Sequence, residues 1–269
     1  MDELTFYKFD GAGNDFVLLD VRQNACELTE RLVAHICHRR LGVGADGLMA
    51  LDVCDDGSAQ FVMRYFNSDG REATMCGNGG RCIALFAHML GMPANLDFIG
   101  PDGLHHADVL LWDPESGMGL VRLGMREVRC SEVRRVLDGW FLDTGSPHFV
   151  QRVSDLDHFD VVAEGRRIRN MSHLFPLGTN VDFIEDAPDG SLRVRTYERG
   201  VEDETWACGT GVTACAIVTG NGCVSTRGGH FKVSFVSTGD AYTDVQLTGP
   251  VSYNFKGVIS LSAYNALSL

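Results

Sequence analysis

The stretch Met75–Cys82, with the sequence MCGNGGRC, contains the pattern from which most of the fold can be predicted. Its Cys-Gly-x-Gly turn leads into an apolar segment, Cys82–Leu90, which is followed by Gly91 and Pro93. A helix that is apolar nearly all round is normally buried, and glycine and proline commonly end helices. We therefore predict a buried helix with a cysteine at the turn that opens it.

The same pattern occurs again in the second half of the chain. Cys208–Gly211 (CGTG) leads into the apolar segment Val212–Val218, and the two cysteines are 208 − 76 = 132 residues apart. The same offset aligns further pairs: Tyr65 with Tyr197, Glu72 with Glu204, Gly13 with Gly145, and Asn14 with Ser146. Internal repeats indicate repeated structural units. We predict an N-terminal lobe at 1–125 that carries Cys76 and a C-terminal lobe at 126–255 that carries Cys208, with a last strand at about 256–269 returning to the first lobe.

Short alternating segments and 31 glycines indicate a chain rich in strands and tight turns. Phe61–Phe66 and Leu192–Tyr197 are predicted as strands, the second because apolar or neutral residues alternate with arginine. Leu28–Arg40 has an apolar stripe and is followed by Gly42, so it is predicted as an amphipathic helix. The sequence therefore favours an α/β protein with few helices.

Composition excludes several classes of function. The chain has 269 residues, 23 basic against 36 acidic, a formal net charge of −13, and no run of basic residues longer than a pair. Such a chain lacks the positive surface that nucleic acids or anionic lipids require. No apolar stretch approaches the ~20 residues that span a bilayer, and Asp2 and Glu3 stand where a signal peptide would carry bases. We predict a cytoplasmic protein without nucleic-acid or membrane partners.

Nine cysteines are an unusual number for such a chain, and we expect them to be reduced thiols. No Cys-x-x-C occurs, and the closest spacings lack the pattern of a zinc site, so no metal is predicted. Most are expected to be small buried apolar residues. This group comprises Cys82 and Cys215 in the apolar segments, together with Cys26, Cys37, Cys54, Cys130 and Cys223.

The two Cys-Gly-x-Gly turns have chemical properties of their own. A helix N-terminus presents unpaired N–H groups and a partial positive charge, and glycines there allow an anion to approach the backbone. The same field lowers the pKa of a cysteine thiol from its free value of about 8.5. Two lobes related by approximate two-fold symmetry would direct both helix ends towards one cleft, with a cysteine on each side of a bound molecule.

This arrangement suits inversion of a carbon stereocentre. One group must take a proton from one face while another delivers a proton to the opposite face, and a thiolate and a thiol can fill these roles. The carbanion formed next to a carboxylate would be stabilised by the helix N-termini. The reaction would then need no cofactor.

Six segments, in order along the chain, resemble those of the diaminopimelate epimerase family. They are Gly11–Phe16 (GAGNDF), Gly42–Gly47 (GVGADG), Asn67–Gly70 (NSDG), Met75–Cys82 (MCGNGGRC), Tyr197–Gly200 (YERG) and Ala207–Gly211 (ACGTG). The resemblance extends from the first strand to past residue 211. It implies two similar α/β lobes, each a mainly antiparallel, barrel-like sheet around a central helix.

The resemblance also implies an activity and site residues. The activity is the cofactor-independent interconversion of LL- and meso-2,6-diaminopimelate, in lysine and peptidoglycan precursor biosynthesis, by a homodimer. Cys76 and Cys208 match the catalytic cysteines. The backbone donors to the carboxylate at the reacting carbon match Gly77, Asn78, Gly209 and Thr210.

Further matches concern recognition of the substrate's distal end. Arg199 matches the partner of the distal carboxylate, which suits the donor fork of a guanidinium. Glu198 matches a carboxylate near the distal amine and one cysteine, and His148 matches a histidine that tunes a cysteine's pKa. The amide side chains that complete recognition match Asn14, Asn67 and Asn180.

Two positions depart from the family's pattern. Gly47 stands where some members have glutamine, and Ser146 stands where the common motif has asparagine before Pro-His. Serine keeps a donor and an acceptor but is shorter, so Ser146 remains a candidate binding residue with a looser hold on the distal group.

Three other functions remain open on the sequence. One is a racemase of another amino acid, such as proline or histidine, although Arg199 and Glu198 speak against it because a simple amino acid has no distal carboxylate. The second is a non-catalytic amino-acid-binding protein. The third is a cysteine hydrolase or acyltransferase with one nucleophilic cysteine.

Overall fold

The computed structural model describes residues 3–23 and 26–261. These residues form four α-helices, one 3₁₀ turn at Cys130–Glu132 and seventeen strands. The helices are α1 Glu30–Cys37, α2 Gly77–Met89, α3 Val161–Arg169 and α4 Gly209–Thr219. The strands are β1 Glu3–Gly11, β2 Asn14–Asp20, β3 Gly47–Asp52, β4 Phe61–Asn67, β5 Asn95–Gly100, β6 Gly103–Asp113, β7 Met118–Gly124, β8 Val128–Arg129, β9 Arg134–Val136, β10 Gly139–Asp143, β11 Pro147–Arg152, β12 Asn180–Asp186, β13 Leu192–Glu198, β14 Asp203–Thr205, β15 Cys223–Thr226, β16 Gly229–Ser237 and β17 Ala241–Ser260.

The chain divides into two compact units. The first unit contains the residues up to Val121 and those from Val251 onward, and the second unit is Arg122–Pro250. These bounds differ by a few residues from the lobes at 1–125 and 126–255 expected from the sequence. Residues 256–260 of the expected returning strand belong to β17 and pair with β1, and residues 262–269 lie outside the described residues.

The first unit is a closed barrel of eight strands, β1–β7 and the end of β17, around helix α2. Neighbouring strands are antiparallel in the pairs β17–β1, β1–β2, β3–β4 and β5–β6, and parallel in β2–β3 and β4–β5. Every residue of α2 from Gly77 to Ala87 is buried, and the helix packs against β1, β2, β3 and β6. The apolar circumference of this helix is thus covered by the barrel.

The second unit repeats this order of elements. Antiparallel pairs β10–β11, β12–β13 and β15–β16 alternate with parallel pairs β11–β12 and β13–β15, and α4 packs against β10–β13, β15 and β16. Helix α3 lies on β12 and β13. The predicted fold class, two α/β lobes with mainly antiparallel barrel-like sheets around a central helix, is confirmed.

The predicted strands Phe61–Phe66 and Leu192–Tyr197 are confirmed as β4 and β13. The predicted helix Leu28–Arg40 is shorter than expected at both ends. At its start, the Thr29 hydroxyl accepts a hydrogen bond from the Leu32 N–H. At its end, the N–H groups of Val43 and Gly44 donate to the Ile36 carbonyl. A loop that folds back on the last helical carbonyls replaces the continuing helix.

The two central helices begin earlier than the apolar segments suggested. Cys76 and Cys208 are extended N-cap residues, with φ −121° and −115°, and the glycines that follow them already lie in the first helical turn. Helix α3 was not predicted.

The cysteines do not all follow the expectation of burial. Cys37, Cys82 and Cys215 are buried, but Cys26, Cys54 and Cys130 are half-buried and Cys223 is exposed. Cys223 begins β15, where alternate side chains face opposite sides and the next residue, Val224, occupies the core side. None of the nine cysteines, all of which lie among the described residues, forms a disulfide.

Candidate active site

Cys76 lies at the N-terminus of α2 in the first unit. The first intrahelical bond runs from the Gly80 N–H to the Cys76 carbonyl over 2.8 Å, so the N–H groups of Gly77, Asn78 and Gly79 point out of the helix end. The Cys76 side chain itself makes no capping hydrogen bond at this end. The arrangement presents several backbone donors next to the Cys76 sulfur.

Arg81 lies one turn further into α2 and is fully buried. Its Nη1 donates to the Gly77 carbonyl at 3.0 Å and its Nη2 to the Asn78 Oδ1 at 2.8 Å. Burial lowers the pKa of the Arg81 guanidinium to about 10, while negative charge on Cys82 or Cys76 acts in the opposite direction. Because this attraction is mutual, Arg81 stabilises negative charge on the Cys76 sulfur.

The side chain of Asn14 contacts Cys76 in the first unit. Its Oδ1 lies 3.8 Å from the Cys76 Sγ, and its Nδ2 donates to the Asp46 Oδ2 at 2.7 Å. Arg39 bonds both Asp46 and Asp15, each at 2.7 Å, and Lys8 bonds Asp15 at 2.6 Å. This ionic cluster fixes the Asn14 amide with its oxygen towards the thiol.

Asn67 is exposed at the end of β4, directly opposite Gly47 on β3. A Cβ atom on Gly47 would lie 2.7 Å from the Phe66 carbonyl oxygen and 2.8 Å from a ring carbon of Tyr65. The glycine at this position, where some family members have glutamine, is therefore explained by the close approach of the neighbouring strand.

Cys208 occupies the equivalent N-cap position of α4 in the second unit and is buried. Its Sγ lies 3.3 Å from the Thr210 Oγ1, and the Gly211 N–H lies near enough to favour a thiolate there. Burial raises the pKa of the Cys208 thiol well above its usual value, and the charges of Glu198 and Asp182 add to this, while Thr210 and the Gly211 N–H only partly oppose it. The expectation of a lowered pKa is therefore wrong for Cys208, because burial, the largest influence on this thiol, disfavours the thiolate.

His148 connects Cys208 to a buried carboxylate. Its Nε2 lies 2.9 Å from the Thr210 Oγ1, and its Nδ1 lies 2.7 Å from the Asp182 Oδ2. The Thr196 hydroxyl donates to the other Asp182 oxygen at 2.7 Å. Both members of the His148–Asp182 pair have fully buried side chains.

Ser146 and Asn180 complete the surroundings of His148. The Asn180 Nδ2 donates to the Ser146 Oγ at 2.6 Å and to the Pro147 carbonyl at 3.1 Å, while its Oδ1 accepts from the Arg199 N–H at 2.8 Å. Ser146 Oγ and Asn180 Nδ2 each lie 3.3 Å from the His148 Nε2. The Asn180 side chain therefore links the Ser146–Pro147 segment to the Arg199 backbone.

Arg199 and Glu198 stand at the end of β13, and both are half-buried. The Arg199 Nη1 donates to the Leu177 carbonyl at 2.8 Å, which anchors one edge of the guanidinium. Glu198 is close enough for its charge to raise the Cys208 pKa. A carboxylate near this cysteine agrees with the position expected for Glu198.

The predicted residues fall into two groups, each described within its own unit. Asn14, Gly77 and Asn78 lie next to Cys76 in the first unit, which also contains Asn67 without a described contact to Cys76. The second unit contains Cys208 together with Ser146, His148, Asn180, Glu198, Arg199, Gly209 and Thr210. Sequence reasoning missed Arg81, Asp46 and Asp182. The signal for Asp182 was available, because it is a single acidic residue inside the otherwise apolar run Val181–Ile184.

Neither a metal-binding cluster nor a membrane-spanning helix is present among the described residues. Within residues 3–23 and 26–261, no cluster of three or more His, Cys, Asp or Glu side chains is arranged to hold a metal ion. Over the same residues, no helix is long and apolar enough to cross a membrane.

Comparison with known proteins gives a family and relatives over nearly the whole chain. The family model described as diaminopimelate epimerase matches residues 6–103 and 140–253. The chain is 40% identical to the diaminopimelate epimerase of Flavobacterium psychrophilum over 95% of this chain and 100% of that protein. It is 42% identical to the diaminopimelate epimerase of Chlorobaculum tepidum over 93% of this chain and 99% of that protein.

Solved structures with the same fold are more distant in sequence. A probable proline racemase from Agrobacterium radiobacter superposes with a TM-score of 0.71 at 14% identity, covering 98% of this chain and 95% of that one. A hydroxyproline epimerase from Agrobacterium vitis gives 0.66 at 16% identity, covering 97% and 94%. At such identities the likeness concerns the fold alone.

Proposed function

The chain belongs to the diaminopimelate epimerase family, and on that premise we propose that it interconverts LL- and meso-2,6-diaminopimelate without a cofactor. One observation carries the proposal. Cys76 and Cys208 occupy equivalent N-cap positions of two buried helices, each next to glycine backbone donors. Two thiols in matched positions suit a reaction that needs two proton-transfer groups.

In the proposed mechanism one cysteine removes the α-proton while the other delivers a proton to the opposite face of the same carbon. Burial keeps Cys208 a thiol and therefore the proton donor, and the buried Arg81 supports Cys76 as the base. In the reverse direction the two cysteines exchange roles. The N–H groups at the two helix ends, from Gly77 and Asn78 and from Gly209 and Thr210, bind the carboxylate and stabilise the charge that develops on it.

We assign recognition of the substrate's distal end to the charged side chains of Glu198 and Arg199 and to two asparagine side chains. Arg199 binds the distal carboxylate and Glu198 the distal ammonium group, because each offers the opposite charge at a half-buried position. Asn14 and Asn67 contribute hydrogen bonds to the same ligand. Ser146 and Asn180 act mainly by holding His148 and the Arg199 backbone in place.

The test is incubation of the purified protein with LL-diaminopimelate in deuterated water. We expect meso product that carries deuterium at the inverted carbon. Chiral chromatography and mass spectrometry measure the product and its deuterium content. Cys76→Ala and Cys208→Ala should each lower kcat by about 10²- to 10⁴-fold, the contribution of a general acid or base. Cys223→Ala, which changes an exposed cysteine outside the site, should keep the wild-type rate.

The same assay separates the alternatives. Absence of both meso product and α-deuterium would refute the proposal. Turnover of proline or histidine in its place would indicate a racemase of another amino acid, and binding without turnover would indicate a binding protein. A cysteine hydrolase would tolerate loss of one of the two cysteines and would form a thioester on the other, detectable by intact mass.

The cellular setting follows from the activity. We propose that the protein works in the cytoplasm in lysine and peptidoglycan precursor biosynthesis, and that it forms a homodimer. A molar mass near twice the 29.4 kDa of the chain, measured by light scattering after size-exclusion chromatography, would support the dimer. A mass of one chain over the working concentration range would contradict it.

A further inference from the structure

A buried row of polar side chains leads from Cys208 into the second unit. The Cys208 Sγ lies 3.3 Å from the Thr210 Oγ1, which lies 2.9 Å from the His148 Nε2. The His148 Nδ1 lies 2.7 Å from the Asp182 Oδ2. Buried polar groups are costly unless they are hydrogen-bonded, and this row is continuously bonded from the thiol to the carboxylate.

The partners of each atom give the direction of these hydrogen bonds. An ionised carboxylate only accepts, so Asp182 takes one bond from the Thr196 hydroxyl and one from the His148 Nδ1–H. The Nε2 of the neutral ring is then an acceptor and takes the Thr210 O–H. The Thr210 oxygen in turn accepts the Cys208 S–H, which places a thiol proton at the head of the row.

We propose that Thr210 relays the Cys208 proton to His148, the residue that matches the family's cysteine-tuning histidine, and that Asp182 is the positioning residue that sets His148 for this role. The Cys208 S–H proton passes to the Thr210 oxygen while the Thr210 hydroxyl proton passes to the His148 Nε2. The products are a Cys208 thiolate and a His148 imidazolium beside the Asp182 carboxylate. The proposal rests on the proposed function, whose reverse direction requires Cys208 to act as the base.

The relay answers the electrostatic problem at this cysteine. Burial and the charges of Glu198 and Asp182 favour the thiol, so a thiolate needs a cation formed together with it. An imidazolium between Asp182 and Thr210 supplies that charge, and the Gly211 N–H and the α4 N-terminus stabilise the thiolate. Asp182 compensates the imidazolium in the same way as a buried carboxylate behind a catalytic histidine.

The row is a specific feature of the second unit. At the offset of 132, His148 aligns with Phe16 and Asp182 with Ala50, and both of these residues are fully buried and apolar. A Cβ atom on Gly211 would lie 2.4 Å from the Asp182 Oδ1 and 3.1 Å from the His148 Cε1. The glycine thus permits the close contact between the helix end and the buried pair.

The deciding experiment compares Thr210→Val with Thr210→Ser. Valine keeps the shape and the backbone N–H but removes the hydroxyl, whereas serine keeps the hydroxyl. The control is Thr213→Val, which removes another hydroxyl of α4, one that donates to the Gly209 carbonyl. Two quantities are measured for each variant: the rate at which iodoacetamide alkylates Cys208 without substrate, located by peptide mass spectrometry, and kcat and KM in both reaction directions.

For Thr210→Val we expect Cys208 alkylation to slow by about tenfold, because the reactive form is the thiolate. We expect kcat to fall by about 10²-fold with KM within about threefold, since a proton-transfer path is lost but binding donors remain. Thr213→Val should stay close to wild type in both measurements, and Thr210→Ser should restore most of the alkylation rate and kcat that Thr210→Val loses. Asp182→Asn, which can present an amide N–H to the His148 Nδ1, should slow alkylation as Thr210→Val does.

Unchanged alkylation of Cys208 and unchanged kcat in Thr210→Val would overturn the relay. If Asp182→Asn does not fold, as judged by circular dichroism, the Thr210 pair still decides the question. A wild-type protein with no activity on diaminopimelate would refute the proposed function. The alkylation comparison does not use substrate and would still test the relay in that case.

Discussion

The N-termini of α2 and α4 occupy equivalent positions in the repeat but are built on opposite charges. In the first unit the buried group is a cation, Arg81, and in the second it is the carboxylate of Asp182 with His148. Arg81 aligns with Thr213 at the offset of 132, and both side chains donate to the carbonyl of the first helical residue, at 3.0 and 2.9 Å. The backbone device is therefore shared, while the charge beneath it differs.

This difference shows what the duplication supplies and what each unit adds. Both units supply a glycine-lined helix end, and that alone provides backbone donors for an anion. The protonation of the cysteine depends on the side chains that pack under the helix. The Arg81 cation near Cys76 and the His148–Asp182 pair near Cys208 give the two cysteines different electrostatic surroundings.

The sharpest way to test the comparison is to add one methyl group to each helix end. Gly211→Ala would bring its Cβ to 2.4 Å from the Asp182 Oδ1, whereas Gly79→Ala would meet the flexible Met49 thioether at 3.0 Å. We expect Gly211→Ala to lower the free energy of unfolding by about 1–3 kcal/mol through overpacking, and to lower kcat by more than about tenfold by displacing the proton-transfer group. Gly79→Ala should change stability by less than about 1 kcal/mol, since alanine also favours the helix.

Urea denaturation and steady-state kinetics of the two variants provide the measurement. Each variant is the control for the other, because both replace glycine by alanine in the first turn of a buried helix. Equal losses in the two variants would show that the helix ends are packed alike and that the comparison fails.

Much of the fold could be predicted, because the two apolar segments form buried helices as expected and the repeat predicts one such helix in each unit. Helix α3 was missed although the repeat contained it. At the offset of 132, α1, Glu30–Cys37, aligns with residues 162–169, and α3 spans Val161–Arg169. Its three basic residues in the last turn obscured the apolar stripe that makes α1 easy to recognise.

The site was predictable where motifs carry it and less so where tertiary contacts create it. The Cys-Gly-x-Gly pattern places both cysteines at helix ends from sequence alone. The pKa of Cys208 could not be predicted in the same way, since it depends on burial and on Asp182, a residue 26 positions away that reaches the helix end only in the folded chain. Asn180 was expected to bind substrate but makes three hydrogen bonds within its own chain. These partners also come together only in the folded chain.

The cation of the first unit can be removed to test its influence on Cys76. Arg81→Met keeps a long side chain but deletes the charge, and we expect alkylation of Cys76 by iodoacetamide to slow by about tenfold, the effect of a pKa change of about one unit. Alkylation of Cys208 should not change. Thr213→Val, at the aligned position of α4, serves as the matched control. If both cysteines slow equally in Arg81→Met, the change acts through general loosening and the assigned electrostatic role is wrong.

The smallest expected effect concerns the ionic cluster that fixes Asn14 in the first unit; at the aligned position the second unit has Pro147 in place of Asp15. Burial raises the pKa of Asp15, but hydrogen bonds from Arg39 and Lys8 outweigh it and lower the pKa from 3.8 to about 2. A carboxyl group whose pKa is lowered on folding stabilises the folded state above its unfolded pKa, and this stabilisation is lost as the pH falls through the folded value. The loss should therefore lie between about pH 4 and pH 2.

Asp15→Asn removes the titrating group and keeps its shape. We expect the variant to be less stable than wild type at pH 5, and the difference to shrink towards zero as the pH approaches 2, when the free energy of unfolding is measured by urea denaturation at each pH. Because the cluster is partly exposed, its ion pairs are screened and the difference at pH 5 should be modest. A constant difference across this range would mean that Asp15 acts through packing, and that the first unit holds Asn14 without help from its charge.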